Sequence, residues 1–158
     1  MGEQRHGQLR VRSRGGHVPL RVIRRPWPHP ANDALRDPDE VWMFTLGLPF
    51  IDIEGDSAGG LLLRGGGLAR ALVGEVSIPK VQIARACHAR AKARHYWYES
   101  VAVQTVSGET FVLELSGPDI EHALSYLAEA GVQVEPAPWV WSLRFGGVTL
   151  EPQAIGPN

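Results

Sequence analysis

The chain has 158 residues, 44% of them apolar, a formal net charge of −1 and one cysteine. That size fits one domain with a tail or arm, and the lone Cys87 excludes an internal disulfide and any multi-cysteine zinc site. No run approaches the roughly 18 apolar residues of a membrane-spanning helix, and the Arg-rich start lacks the apolar stretch of a secretory signal, so a cytoplasmic location is expected.

Charge is unevenly spread. Residues 1–25 hold seven Arg against Glu3 alone, residues 33–56 hold seven acids against Arg36, and residues 80–94 hold five cations and no acid. Such asymmetry predicts electrostatic self-docking or a charged partner. Leu9–Arg12 and Val18–Ile23 read as short strands separated by Gly15-Gly16 in a basic arm. The arm contacts expected are Arg10, Arg12, Arg14, Arg24 and Arg25, on a neighbouring copy or on the acidic strand around Asp52 and Glu54. Four prolines between Pro26 and Pro38 remove backbone donors and force extended backbone, so this stretch reads as a linker. The expected organisation is an arm and linker over 1–40, one β-rich domain over 41–151, and a tail over 152–158.

From Val41 the chain reads as serial strands. VWMFTLGLPFIDIEGD is interrupted at Gly47–Pro49, GGLLLRG is short, and LARALVGEVSIP precedes the punctuation of Pro79. Residues 80–95 combine a β-branched start with Ala, Arg and Lys. A strand running into a basic loop is preferred there over a basic helix, because Ile-Pro precedes it. YWYESVAVQTV and ETFVLEL form a hairpin around a two-residue Ser107-Gly108 turn. Ser116 then caps a helix over 118–130, with Pro118 in its first turn, a stripe of Ile120, Ala123, Leu124 and Leu127, and Gly131 as its left-handed stop. WVWSLRF and VTLEP make a second hairpin at Gly146-Gly147. The fold class is therefore mostly β: a small antiparallel barrel or curled sheet closed by an amphipathic helix.

No constellation with catalytic geometry stands out. Cys87 and His88 fall on opposite faces of a strand and cannot cooperate. Asp52, Glu54 and Asp56 share a face but lack the Gly and bidentate Glu of a calcium loop, so a solvated face or a dock for the arm is the better reading. Gly65-Gly66-Gly67 has no Gly-Lys-Ser/Thr ending and reads as a hairpin turn, not a phosphate loop. Neither cofactor nor metal is expected. The best candidate surface lies near residues 85–98, where cations and aromatics mix. Arg85, Arg90, Lys92, Arg94, His95, Tyr96 and Tyr98 are the candidate binding residues, with Trp97 among them, because fixed cations hold phosphates and aromatic rings stack on bases or sit at lipid interfaces. Trp139 and Trp141 alternate on one strand and so face the same way.

Over about residues 50–131 the chain resembles bacterial pleckstrin-homology-like (PH-like) domains. The glycine-flanked LLLRGGGLARAL, the GEVSIPKVQIARA run and the final hairpin leading into SGPDIEHALSYLAEAGV carry the likeness. The basic arm and the hairpin over 139–151 depart from it. The resemblance implies binding, through loops at the open end of a barrel, to lipids, peptides or proteins. The expected function is a non-enzymatic binding or scaffolding module for a protein or an anionic partner such as a lipid headgroup or nucleic acid. The alternative is a structural subunit of a phage-like or filamentous assembly, with its arm on a neighbouring subunit.

Overall fold

The computed structural model describes residues 9–19, 45–65, 75–93, 95–144 and 147–153. Among these residues the fold is mostly β with one helix in the C-terminal half. The strands are β1 (Arg10–Pro19), β2 (Thr45–Gly55), β3 (Leu61–Gly65), β4 (Glu75–Ile78), β5 (Ile83–Ala93), β6 (Tyr96–Thr105), β7 (Thr110–Glu114), β8 (Val134–Arg144) and β9 (Gly147–Pro152), with helix α1 (Gly117–Glu129) between β7 and β8. They form one sheet in the order β4-β3-β2-β1-β7-β6-β5-β8-β9. Every pairing is antiparallel except β5 with β8. The sheet is open: β4 and β9 each have a partner on one side only.

The sheet nevertheless curls. Residues 79–82 join β4, the first strand of the order, to β5, the seventh. In a flat sheet those strands lie about 29 Å apart at ~4.8 Å per strand, whereas a link of this length reaches at most about 17 Å. Curling brings Val11, Ile53, Leu63 and Ile78 into one core with Val101, Val103, Phe111 and Leu113. Helix α1 adds Ile120, Ala123, Tyr126 and Leu127 to it. An isolated helix of this length is marginal in water, so this buried stripe is what holds it.

Three local expectations need correction. Residues 10–19 form one continuous strand, through Gly15-Gly16, between β2 and β7. Leu9, Val11 and Val18 are buried, so this part of the expected arm belongs to the core; residues 1–8 and 20–44 lie outside the described residues. The alternation of Leu9 and Val11 with Gln8, Arg10 and Arg12 was the overlooked signal. Gly16 is also required there, since a Cβ would stand 2.8 Å from the Val112 carbonyl. Strand β2 runs unbroken through Gly47–Pro49 and instead kinks at Phe50, which takes φ 53°. The β6–β7 turn spans Val106–Gly108, because Thr105 N–H donates to Glu109 O at 2.9 Å, and Gly108 at φ 88° supplies the left-handed residue of a three-residue loop.

The helix matches its expected bounds closely. Ser116 occupies the N-cap, although its hydroxyl makes no capping bond. Gly131, at φ 90°, completes a Schellman stop: Val132 N–H donates to Leu127 O and Gly131 N–H to Ala128 O, at 2.9 and 3.0 Å. Residues 80–95 begin with a single 3-10 turn, Lys80–Gln82, and continue as strand β5, not as a basic helix. The turn of the second hairpin is centred on residues outside the described set, as are Gly66 and Gly67.

The second hairpin, β8–β9, folds back over the sheet. In the sheet order β8 lies four pairings from β1, which is about 19 Å when flat. Yet the rings of Trp141 and His17 are 5.1 Å apart, centroid to centroid. Pairing of β8 with β5 ends at Arg90–Val140, and the hairpin then crosses the face opposite the main core. There Trp139, Trp141, Val148 and Leu150 cover the small residues Cys87, Ala89, Ala102 and Val112. No described helix is long and apolar enough to cross a membrane.

Candidate binding surface

Strands β5 and β6 run on past the pairings that flank them. The β7 pairing of β6 stops at Ser100, and the β8 pairing of β5 stops at Arg90. Beyond these points, apart from Leu115 N–H donating to Glu99 O at 3.3 Å, the described strands β5 and β6 pair only with each other, to Ala93–Tyr96. Residues 91–93 and 95–98 therefore form a two-stranded ribbon.

Side-chain alternation divides the expected binding residues between the ribbon's two faces. On one face Arg90 lies across from Glu99, and Lys92 across from Trp97. Arg90 Nε donates to Glu99 Oε1 at 3.0 Å, and the other carboxylate oxygen contacts His88 Nε2. The Arg90 guanidinium sits 5.0 Å and the Lys92 ammonium 6.0 Å from the centre of the Trp97 ring. Lys92 is exposed and has no acid partner among the described residues, so its charge is open to an external anion. Arg90 is neutralised locally by Glu99.

On the other face Tyr96 and Tyr98 stack edge to face at 4.9 Å, with their hydroxyls 2.6 Å apart. That hydrogen bond is the main reason the Tyr98 phenol is shifted above its usual range. Tyr96 is 57% exposed. Arg85 is on this side too, but away from the ribbon: its Nε donates to Gln104 at 2.7 Å, and its guanidinium covers Trp139 at 4.5 Å. His95 is exposed in the ribbon turn, and Arg94 lies outside the described residues. The expected surface over 85–98 is thus not one patch. Arg90, Lys92 and Trp97 come together, Tyr96 and Tyr98 come together behind them, and Arg85 belongs to the cover of the second hairpin. Glu99, the acid that organises the cationic face, carried no signal in the sequence beyond its pairing register.

Of the expected arm contacts, Arg10 and Arg12 do meet the acidic strand. Arg12 pairs with Asp52 at 2.8 Å and Arg10 with Glu54 at 3.4 Å. Both are direct cross-strand neighbours in the β1–β2 register. The Asp52 hydrogen bond, then its charge, raises the Arg12 pKa further. Arg64 bridges Glu54 and Glu75. Asp56 does not join this row. It leaves the strand and accepts from the N–H groups of Ala58 and Gly60, both at 2.8 Å. Arg14 is exposed on β1, while Arg24 and Arg25 are outside the described residues. No group of three or more metal-ligating side chains occurs among the described residues. Cys87 and His88 do face opposite ways: burial pushes the Cys87 thiol up to about 11, which removes its nucleophilic thiolate at neutral pH, while His88 is with Glu99. Comparisons with family models, with curated proteins and with solved structures find no match to this chain.

Proposed function

We propose that the chain is a non-enzymatic, PH-like binding module that recognises an anionic partner through the β5–β6 ribbon. The observation that carries this reading is the exposed Lys92 beside Trp97 on a ribbon with no further strand partner among the described residues, within a segment of five cations and no acid over residues 80–94. A cation without an internal acid, next to an aromatic face, is suited to a phosphate group. The PH-like reading is supported by the order of the described elements between residues 10 and 129, in which seven strands of a curled sheet are followed by one helix that packs into the sheet's core. The alternative, an assembly subunit anchored by its arm, is weakened because β1 consumes residues 10–19 of that arm internally.

The test is a Lys92→Glu, Arg94→Glu variant. Binding is measured to phosphatidylserine vesicles and to a short single-stranded DNA at several salt concentrations. The wild-type chain is expected to bind one of these probes, more weakly as salt rises, and the variant is expected to lose that binding with an unchanged melting curve. Equal binding by both proteins, or no binding of either probe by the wild type, overturns the proposal.

A further inference from the structure

The hairpin that folds back over the sheet rests on an unusual surface. Its inner residues Trp139, Trp141, Val148 and Leu150 are only partly buried, over a floor of Cys87, Ala89, Ala102 and Val112. Three polar atoms sealed at this contact have no hydrogen-bond partner: His17 Nδ1, Trp141 Nε1 and Ser100 Oγ. Each such group opposes closure, because it gives up water and gains nothing. The hairpin is also joined weakly. Its ladder to β5 is broken by a register shift between Cys87 and Ala89, beside Pro136 and Pro138, which cannot donate to a ladder.

We infer that β8–β9 is a hinged cover over this face, held shut at neutral pH by an uncharged His17 beneath Trp141 and released when His17 is protonated. Burial lowers the His17 pKa below the free value of 6.5. The sign follows from linkage: the closed state binds the proton less well than the open one, so closure is fully favourable above about 6.5 and weakens as the pH falls below it. Other charged or titratable groups on this face are Glu114 on β7, Arg85 and Cys87 on β5, and Tyr96 and Tyr98 on β6. Opposite His17, β7 presents Val112 and β2 presents Gly47. Glu135 at the start of β8 acts on Cys87.

Cys87 is the chain's single cysteine and is 1% exposed beneath the cover, so its thiol reports opening. The experiment measures its modification by a disulfide reagent that stays reactive in acid, with each rate divided by that of the unfolded chain at the same pH. Between about pH 7.5 and 5.5 the normalised rate is expected to rise several-fold. The ceiling is about tenfold, set by one pH unit below the open-state pKa. The rise should be absent in His17→Gln and in His17→Phe, and present in Glu114→Gln. Trp141→Ala should speed modification at every pH. Rates insensitive to low urea show that the opening is local. A flat profile in the wild type, the same rise in both His17 variants, or loss of the rise in Glu114→Gln overturns the inference.

Discussion

The hydroxyl of Tyr126 lies 2.9 Å from the carbonyls of both Asp56 and Gly60, and it ties the helix to the β2–β3 turn. Its ring leaves no room on the neighbouring strand: a Cβ at Gly55 would stand 2.5 Å from Tyr126 Cζ. Tyr126→Phe keeps the ring but removes the one proton that the two carbonyls share, while Gly60 O still accepts from Asp56 N–H and Asp56 O from Gly59 N–H, so a loss of about 0.5–1.5 kcal/mol is expected in denaturant melts. Gly55→Ala is expected to cost more, since the ring must move. Phe50 runs the other way. It is 58% exposed and holds φ 53°, a conformation that bulky residues avoid. Phe50→Gly is therefore expected to leave stability level or raise it by about 1 kcal/mol; a clear loss in the same melts would show that the ring supports the kink. Neither residue was legible in advance. Tyr126 lies one position from Leu127 on the same helical face, and its importance depends on a turn 66 residues or more away in sequence. The kink at Phe50 looks in sequence like a strand break, because Gly47 and Pro49 punctuate it.

At the scale of elements, local patterns were enough wherever one element decided its own form. The helix, its cap position and its glycine stop follow from spacing that needs no partner. The same holds for the β6–β7 hairpin, apart from a turn one residue longer than expected. Within the stripe, burial is uneven: Leu127 is 0% exposed, whereas Leu124 is only partly buried. Leu127→Ala is expected to cost about 2–5 kcal/mol and Leu124→Ala measurably less, read from paired denaturant melts. Equal costs would mean that the helix sits rotated from this position. The candidate surface was less legible for a different reason. Sequence proximity of Arg90, Lys92, Tyr96 and Tyr98 implied one patch, but strand alternation sends the cations and the tyrosines to opposite faces. Only the pairing of Lys92 with Trp97 shows which aromatic accompanies the free charge.

Over the whole molecule, the outcome that composition concealed is the place of the N-terminal segment. Charge concentration and nearby prolines made residues 1–40 look like an arm. For residues 10–19 that reading changes: Arg10 and Arg12 meet the expected acids, Glu54 and Asp52, but do so across a strand ladder inside the fold. These ion pairs are largely exposed and fix register more than they add stability. The stabilising part is apolar: Leu9, Val11 and Val18 are buried at 2%, 6% and 1% exposure. Strand β1 also joins β2 to β7, so it links the two halves of the curled sheet. Deleting residues 1–19 would expose a ladder edge on both neighbours and open the main core at once. Such a truncation is expected to abolish the cooperative melt, not merely to alter self-association. Deleting residues 1–8 should leave the melt intact, because it stops short of the first buried side chain described, Leu9. Circular dichroism melts of the two truncations separate these outcomes, and a cooperatively folded 20–158 fragment would show that the sheet does not need β1 at its centre.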